Sequence, residues 1–118
     1  MKPLKKQLRL NNKEFYITHM SIVNSLLPIK MTPKEVEIIA AFLSITGTLA
    51  DDRFSTTGRQ VVRNMLGISH QYLTNYIKSL IKKGFIQDNN DKLELIPILF
   101  PEREEQNYII KLVNTDNV

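Results

Sequence analysis

A mainly helical domain carrying one small β-hairpin is the fold class this sequence predicts, on three observations. Leu73, Tyr76, Ile77 and Leu80 recur at i, i+3, i+4 and i+7, the stripe of a helix with one buried face. Ser69 stands ahead of that stripe as a helix cap, and Gly84 follows Lys82-Lys83, where cations and a left-handed residue suit a helix end. Directly behind come Phe85-Ile86-Gln87, the polar tip Asp88-Asn89-Asn90-Asp91 and Lys92-Leu93-Glu94-Leu95, which read as two strands joined by a turn.

A second helical stretch precedes the first across a turn at Gly67. It should begin near Thr57, with Val61, Val62, Met65 and Leu66 facing inward. Two helices joined by a short glycine turn make a helix-turn-helix, and a hairpin directly after it completes a winged helix. The third helix of the core starts at Thr32-Pro33-Lys34-Glu35. Thr32 caps, Pro33 loses nothing by lacking an N–H in the first turn, and Glu35 closes a capping box. Val36, Ile39, Ala40 and Leu43 give this helix its inward stripe, and Gly47 marks its end. Thr48 to Arg53 reads as a polar loop, and Phe54-Ser55 as a very short strand against the wing.

The winged-helix unit spans residues 32–96, between two extensions. Residues 1–31 read as a basic amino-terminal arm: Gln7 to Leu10 and Lys13 to Thr18 alternate around Asn11-Asn12, the pattern of a small hairpin. Met20 to Leu27 reads as a short helix or apolar linker stopped by Pro28. The second extension is residues 97–118; from the end of the unit onward, Ile96 to Pro101 is apolar and extended, Glu102 to Glu105 acidic and solvated, and Tyr108 to Val113 rich in strand formers. That last run is expected to pair with the amino-terminal strands or with another subunit.

At 118 residues with 42% apolar and 24% charged side chains, the chain suits one domain with a modest core. It has no cysteine, so disulfides and thiolate metal sites are excluded. The start Met1-Lys2-Pro3-Leu4-Lys5-Lys6 is basic without a following apolar run, so no signal peptide is expected. No membrane span is expected either. His19 and His70 are the only histidines, and no carboxylate pair has acid–base or metal spacing. The chain therefore reads as no enzyme, with no cofactor and no metal, acting in the cytoplasm or in a virus particle assembled there.

Charge separates along the chain. Residues 53–87 hold Arg53, Arg59, Arg63, Lys78, Lys82 and Lys83 without one acid, whereas residues 88–118 hold seven acids and three bases. A cationic, acid-free helix-turn-helix is the footprint of phosphate binding. The polar face of the second helix carries His70, Gln71, Thr74, Asn75, Lys78 and Lys82. Asn75 and Gln71 have the amide pair that reads adenine, and Arg or Lys can read guanine. Arg59 and Arg63, four apart on an outward face, suit the phosphate backbone, as do Lys82 and Lys83. His70 would touch phosphate or only support the helix start. Tyr72 would stack on sugar or lie against the neighbouring helix.

Residues 54–95 resemble the winged helix-turn-helix superfamily. The run Leu66-Gly67-Ile68-Ser69, Leu73, Ile77-Lys78-Ser79-Leu80 and Lys82-Lys83-Gly84-Phe85-Ile86 looks like the matching stretch of MarR-type regulators. It is also similar to winged-helix domains of plasmid and phage replication initiators. The resemblance implies a recognition helix over Ser69–Lys83, with Ser69, His70, Gln71, Thr74, Asn75 and Lys78 toward bases and phosphates. The tip departs from it, with Asp88 and Asp91 where DNA-binding wings place Arg or Lys, and the long dimerisation helices of MarR-type proteins are absent. The expectation is a double-stranded-DNA-binding protein, a small transcriptional regulator or replication-associated factor with helix 69–83 in the major groove. The alternative is a winged helix used as a structural subunit, as a homodimer or within a larger assembly such as a phage particle, joined through its terminal strands.

Overall fold

The computed structural model describes residues 4–102 and 105–116. Four α-helices, α1 (Asn12–Leu26), α2 (Pro33–Leu43), α3 (Thr56–Leu66) and α4 (His70–Lys82), precede an antiparallel hairpin of β1 (Ile86–Asn89) and β2 (Lys92–Leu95). Short 3-10 helices cover Gly47–Asp52 and Pro97–Leu99. The mainly helical class with a small two-stranded sheet is what composition and periodicity predict.

The amino-terminal reading is corrected. Asn11-Asn12 is a helix start and not a hairpin turn: the Asn11 side chain accepts the Glu14 N–H at 2.8 Å, and α1 runs unbroken through Met20 to Leu26. Apolar residues at Tyr16, Met20, Val23 and Leu27 form the helical stripe, and α1 packs on α2 with Met20 fully buried. The two-residue alternation around the asparagines covered too few residues to outweigh a cap followed by a four-turn stripe.

Helix α2 is the centre of the core. Thr32 and Glu35 form the expected capping box, with the Thr32 N–H donating to Glu35 Oε1 at 2.8 Å and the Glu35 N–H to Thr32 Oγ1 at 3.2 Å. From Ile38 to Leu43 every side chain is buried, so the helix is enclosed on all sides and its one-stripe pattern understates it. It ends at Leu43 and not at Gly47, which opens the 3-10 helix that replaces the expected polar loop. Arg53 explains that loop's order. Its guanidinium donates to the Phe42, Ala50 and Ile45 carbonyls at 3.0, 2.8 and 3.5 Å, tying the last turn of α2 to the segment that follows it.

No strand forms at Phe54-Ser55. Phe54 is buried against Phe42 with ring centroids 4.3 Å apart, and Ser55 caps α3 by accepting the Gly58 N–H at 3.1 Å. The hairpin turn places Asn90 at φ 56° and Asp91 at φ 63°, the left-handed pair a two-residue loop requires, and Ile86 faces Leu95 in register. Residues 105–116 contain no strand, so the expected terminal pairing is absent among the described residues. Of the acidic run Glu102 to Glu105, positions 103–104 lie outside the described residues, as do positions 1–3 of the basic arm and 117–118.

The carboxyl-terminal segment is held instead by His19. Its Nε2 donates to the Leu99 carbonyl at 2.7 Å, so Nδ1 carries the lone pair that accepts the Tyr108 hydroxyl at 2.5 Å. Burial lowers the imidazole pKa, and the Leu99 hydrogen bond opposes that shift. A folded pKa below the unfolded 6.5 means that stability is lost as pH falls below that value. His19→Gln is expected to flatten the slope of unfolding free energy just below about pH 6.5. Tyr108→Phe should speed amide exchange in residues 105–116 without changing exchange in α2.

Candidate nucleic-acid interface

Helices α3 and α4 meet at a tight turn. Gly67 caps α3 at φ 64°, ψ 38°, a left-handed conformation that costs a residue with a side chain about 1 kcal/mol. Two residues on, Ser69 caps α4 by accepting the Tyr72 N–H at 3.1 Å. The sharp return leaves α4 with Leu73, Ile77 and Leu80 in the core and its opposite face in solvent. Gly58 brings α3 close to the preceding turn, because a Cβ there would lie 1.9 Å from the Arg53 carbonyl oxygen.

The expected α4 face is present, with differences of detail. His70, Gln71, Asn75, Lys78 and Lys82 are exposed, Thr74 is half-buried, and Ser69 is exposed with its hydroxyl engaged as the cap. Gln71 Nε2 donates to Asn75 Oδ1 at 3.0 Å. The pair leaves the Asn75 amide donors and one lone pair of its carbonyl oxygen facing outward. Tyr72, 42% exposed, lies against Tyr76 of its own helix with centroids 5.0 Å apart. Tyr76 is half-buried at the rim of the stripe.

The six cations of residues 53–87 divide by role. Arg53 is consumed by the carbonyls at the end of α2, and burial lowers its pKa against the opposing pull of Tyr16 and Asp51. Lys83 is turned inward: Nζ meets Glu35 Oε1 at 2.5 Å and the Lys30 carbonyl at 3.2 Å. Its ammonium is therefore engaged at the start of α2. Lys78 and Lys82 remain on the exposed face.

Arg59 and Arg63 are half-buried and lie together, but they are not simply outward. Arg59 Nε donates to the Phe54 carbonyl at 2.8 Å, which holds its guanidinium beside the start of α3. Arg63 Nε is buried with no hydrogen-bond partner among the described residues. Both line an open cleft of about 460 Å³ with His70, Thr56 and the hairpin residues Asp91 and Lys92. Lys92 is the residue that reading the chain in order misses, since only the folded hairpin returns it to α3. Val62 is buried as expected, Val61 and Leu66 are half-buried, and Met65 is 50% exposed and not inward.

Glu35 is the second residue the sequence leaves hidden. Its side chain is 1% exposed, and its second oxygen accepts the Ser79 hydroxyl at 3.0 Å. Burial alone would raise its pKa. The hydrogen bonds from Lys83, Thr32 and Ser79, with the Lys83 charge, outweigh that effect and lower it.

No family model, curated protein or solved structure matches this chain. Among the described residues, no group of three His, Cys, Asp or Glu side chains can hold a metal ion, and no helix is long and apolar enough to cross a membrane.

Two variants test the frame behind the face. Glu35→Ala removes a cap and strands Lys83, which keeps partial solvent access; a loss of about 2–3 kcal/mol is expected in urea unfolding. Because the folded pKa lies below the unfolded 4.5, this stabilisation is present above about pH 4.5 and lost as pH falls through the folded value. Glu35→Gln should abolish that acid-side slope. Gly58→Ala should cost about 3 kcal/mol, since backbone must move to admit the methyl group; thermal unfolding of the variant measures it.

Proposed function

We propose that this chain is a winged-helix protein that binds double-stranded DNA with α4 in the major groove. One observation carries the reading: α4 presents a solvent-facing row of amides, hydroxyl and cations without an acid on either α3 or α4. Amide pairs can hydrogen-bond adenine edges, and Lys78 and Lys82 can meet phosphate or guanine. Arg59 and Arg63 of α3 line a cleft with His70, at the start of that row. Order along the chain supports the winged-helix assignment, with α3, a glycine turn, α4 and an immediate hairpin following α2.

The hairpin tip weighs against a phosphate clamp by the whole wing. Asp88 and Asp91 are acidic and exposed, so wing contact would be limited to Lys92. A small transcriptional regulator or replication-associated factor, acting in the cytoplasm or in a particle assembled there, fits these features. Lys83, assigned to the backbone on charge alone, is left out of the proposed contacts.

A second reading, as a subunit of a larger assembly or a homodimer, is favoured by a different observation. Ile109 and Leu112 are 95% and 92% exposed, with Ile110 and Val113 largely exposed between and beyond them. A row of strand-forming side chains in solvent is suited to pairing with another chain.

Fluorescence anisotropy with a random-sequence duplex at two salt concentrations separates the readings. DNA binding is expected to weaken steeply with salt, because each neutralised phosphate releases counterions. Lys82→Ala should weaken binding to all sequences alike, whereas Asn75→Ala should narrow the gap between preferred and random duplexes by about tenfold. Undetectable or salt-insensitive binding would favour assembly.

A further inference from the structure

We infer that the cleft between α3, the start of α4 and the hairpin tip is a phosphate-binding site. The inference stands on the cleft's own geometry; only the choice of DNA as the source of the phosphate rests on the DNA-binding reading. Four nitrogen-bearing side chains from three elements reach this cleft: Arg59 and Arg63 of α3, His70 of α4 and Lys92 of β2. Arg59 is held by its Nε bond to Phe54, which leaves the terminal nitrogens of the guanidinium to face a ligand.

Arg63 supplies the second observation. Its buried Nε–H lacks a partner among the described residues, although a buried donor without an acceptor is costly. That Nε–H is sealed from solvent as the side chain lies. A phosphate in the cleft would therefore meet the terminal nitrogens of the same guanidinium, the fork of donors that arginine presents, and the Nε–H signal would report the side chain's shift toward it. Thr56 adds a hydroxyl at the first position of α3, and neither α3 nor α4 has an acid in its first turn to compete for the site.

Asp52 and Asp91 also line the cleft, so its charge is mixed. Leaving His70 out of the count, three cations (Arg59, Arg63 and Lys92) face two carboxylates, a net positive balance. The two carboxylates limit the charge the cleft can hold to one phosphate or pyrophosphate group at a time, free or carried on a DNA backbone. A volume of about 460 Å³ admits a phosphate ester with its attached sugar.

The test is nuclear magnetic resonance of the full chain, following backbone amides and the arginine Nε–H signals. Pyrophosphate is added alone, then a short random-sequence duplex is added to the pyrophosphate-bound protein. Arg63 Nε–H and the Thr56 and Thr57 amides are expected to shift with pyrophosphate. Arg63→Gln and, at the exposed hairpin tip where folding is not at stake, Lys92→Gln should each weaken that binding, the first by about tenfold. Lys34→Gln, on α2 and outside the cleft, should leave it unchanged.

If the duplex displaces pyrophosphate and shifts the same signals, the ligand is a DNA backbone phosphate. If the duplex binds through the α4 amides and leaves the Arg63 signal untouched, the ligand is a free phosphate compound. Pyrophosphate shifts without any duplex binding would remove the DNA reading and leave the site standing. The proposal is overturned if neither ligand moves the Arg63 Nε–H signal. Equal weakening by Lys34→Gln and Lys92→Gln would also overturn it, because that pattern reports diffuse charge.

Discussion

Glu35 joins the amino-terminal end of α2 to the carboxyl-terminal end of α4. One oxygen receives the Thr32 N–H and the Lys83 ammonium; the other receives the Ser79 hydroxyl. A buried carboxylate is tolerable only when so fully bonded, since removal from water costs several kcal/mol before partners compensate. The apolar stripe of α4 sets which side faces inward, but a greasy surface permits sliding. The directional contacts to Glu35 set the position of α4 along its axis, and with it the row from Gln71 to Lys82.

Using Lys83 and Arg53 inside the fold changes the electrostatics of the surface. A count of six cations without an acid suggests an evenly basic helix-turn-helix. Two of the six instead neutralise a carboxylate or satisfy carbonyls at a helix end, and a third, Arg59, is partly committed to Phe54. Positive charge thus concentrates at two places: the far end of the α4 face at Lys78 and Lys82, and the cleft between α3 and the hairpin. Arg53 suits its post because its fork can donate to several carbonyls at once, whereas Arg59 spends only Nε on the Phe54 carbonyl.

His19 plays the matching part at the other end of the molecule. A neutral imidazole can donate on one side and accept on the other, so a single side chain of α1 ties the Leu99 carbonyl and the Tyr108 hydroxyl to the core. The strand-forming side chains just beyond Tyr108 remain in solvent, which leaves their backbone available to a partner.

Much of the helical plan was legible without coordinates because caps and stripes are local. Thr32 with Glu35, Ser69 with the Leu73–Leu80 stripe, and Gly67 each act within a few residues, and the structure places them as those residues predict. The hairpin tip shrinks from the expected Asp88–Asp91 to Asn90-Asp91, because Asp88 and Asn89 are paired as part of β1. Asn11 misled because asparagine serves both turns and caps, and only the continuing stripe through Tyr16 and Met20 decides between them. The terminal strands failed for another reason: strand propensity becomes structure only when a partner strand is in place, and sequence order does not supply one. The role of each charge was likewise beyond the sequence. Whether Lys83 meets a phosphate or Glu35 depends on which distant residues the packed helices bring within hydrogen-bond range, and whether Lys92 shares a cleft with Arg63 depends on where the hairpin folds back.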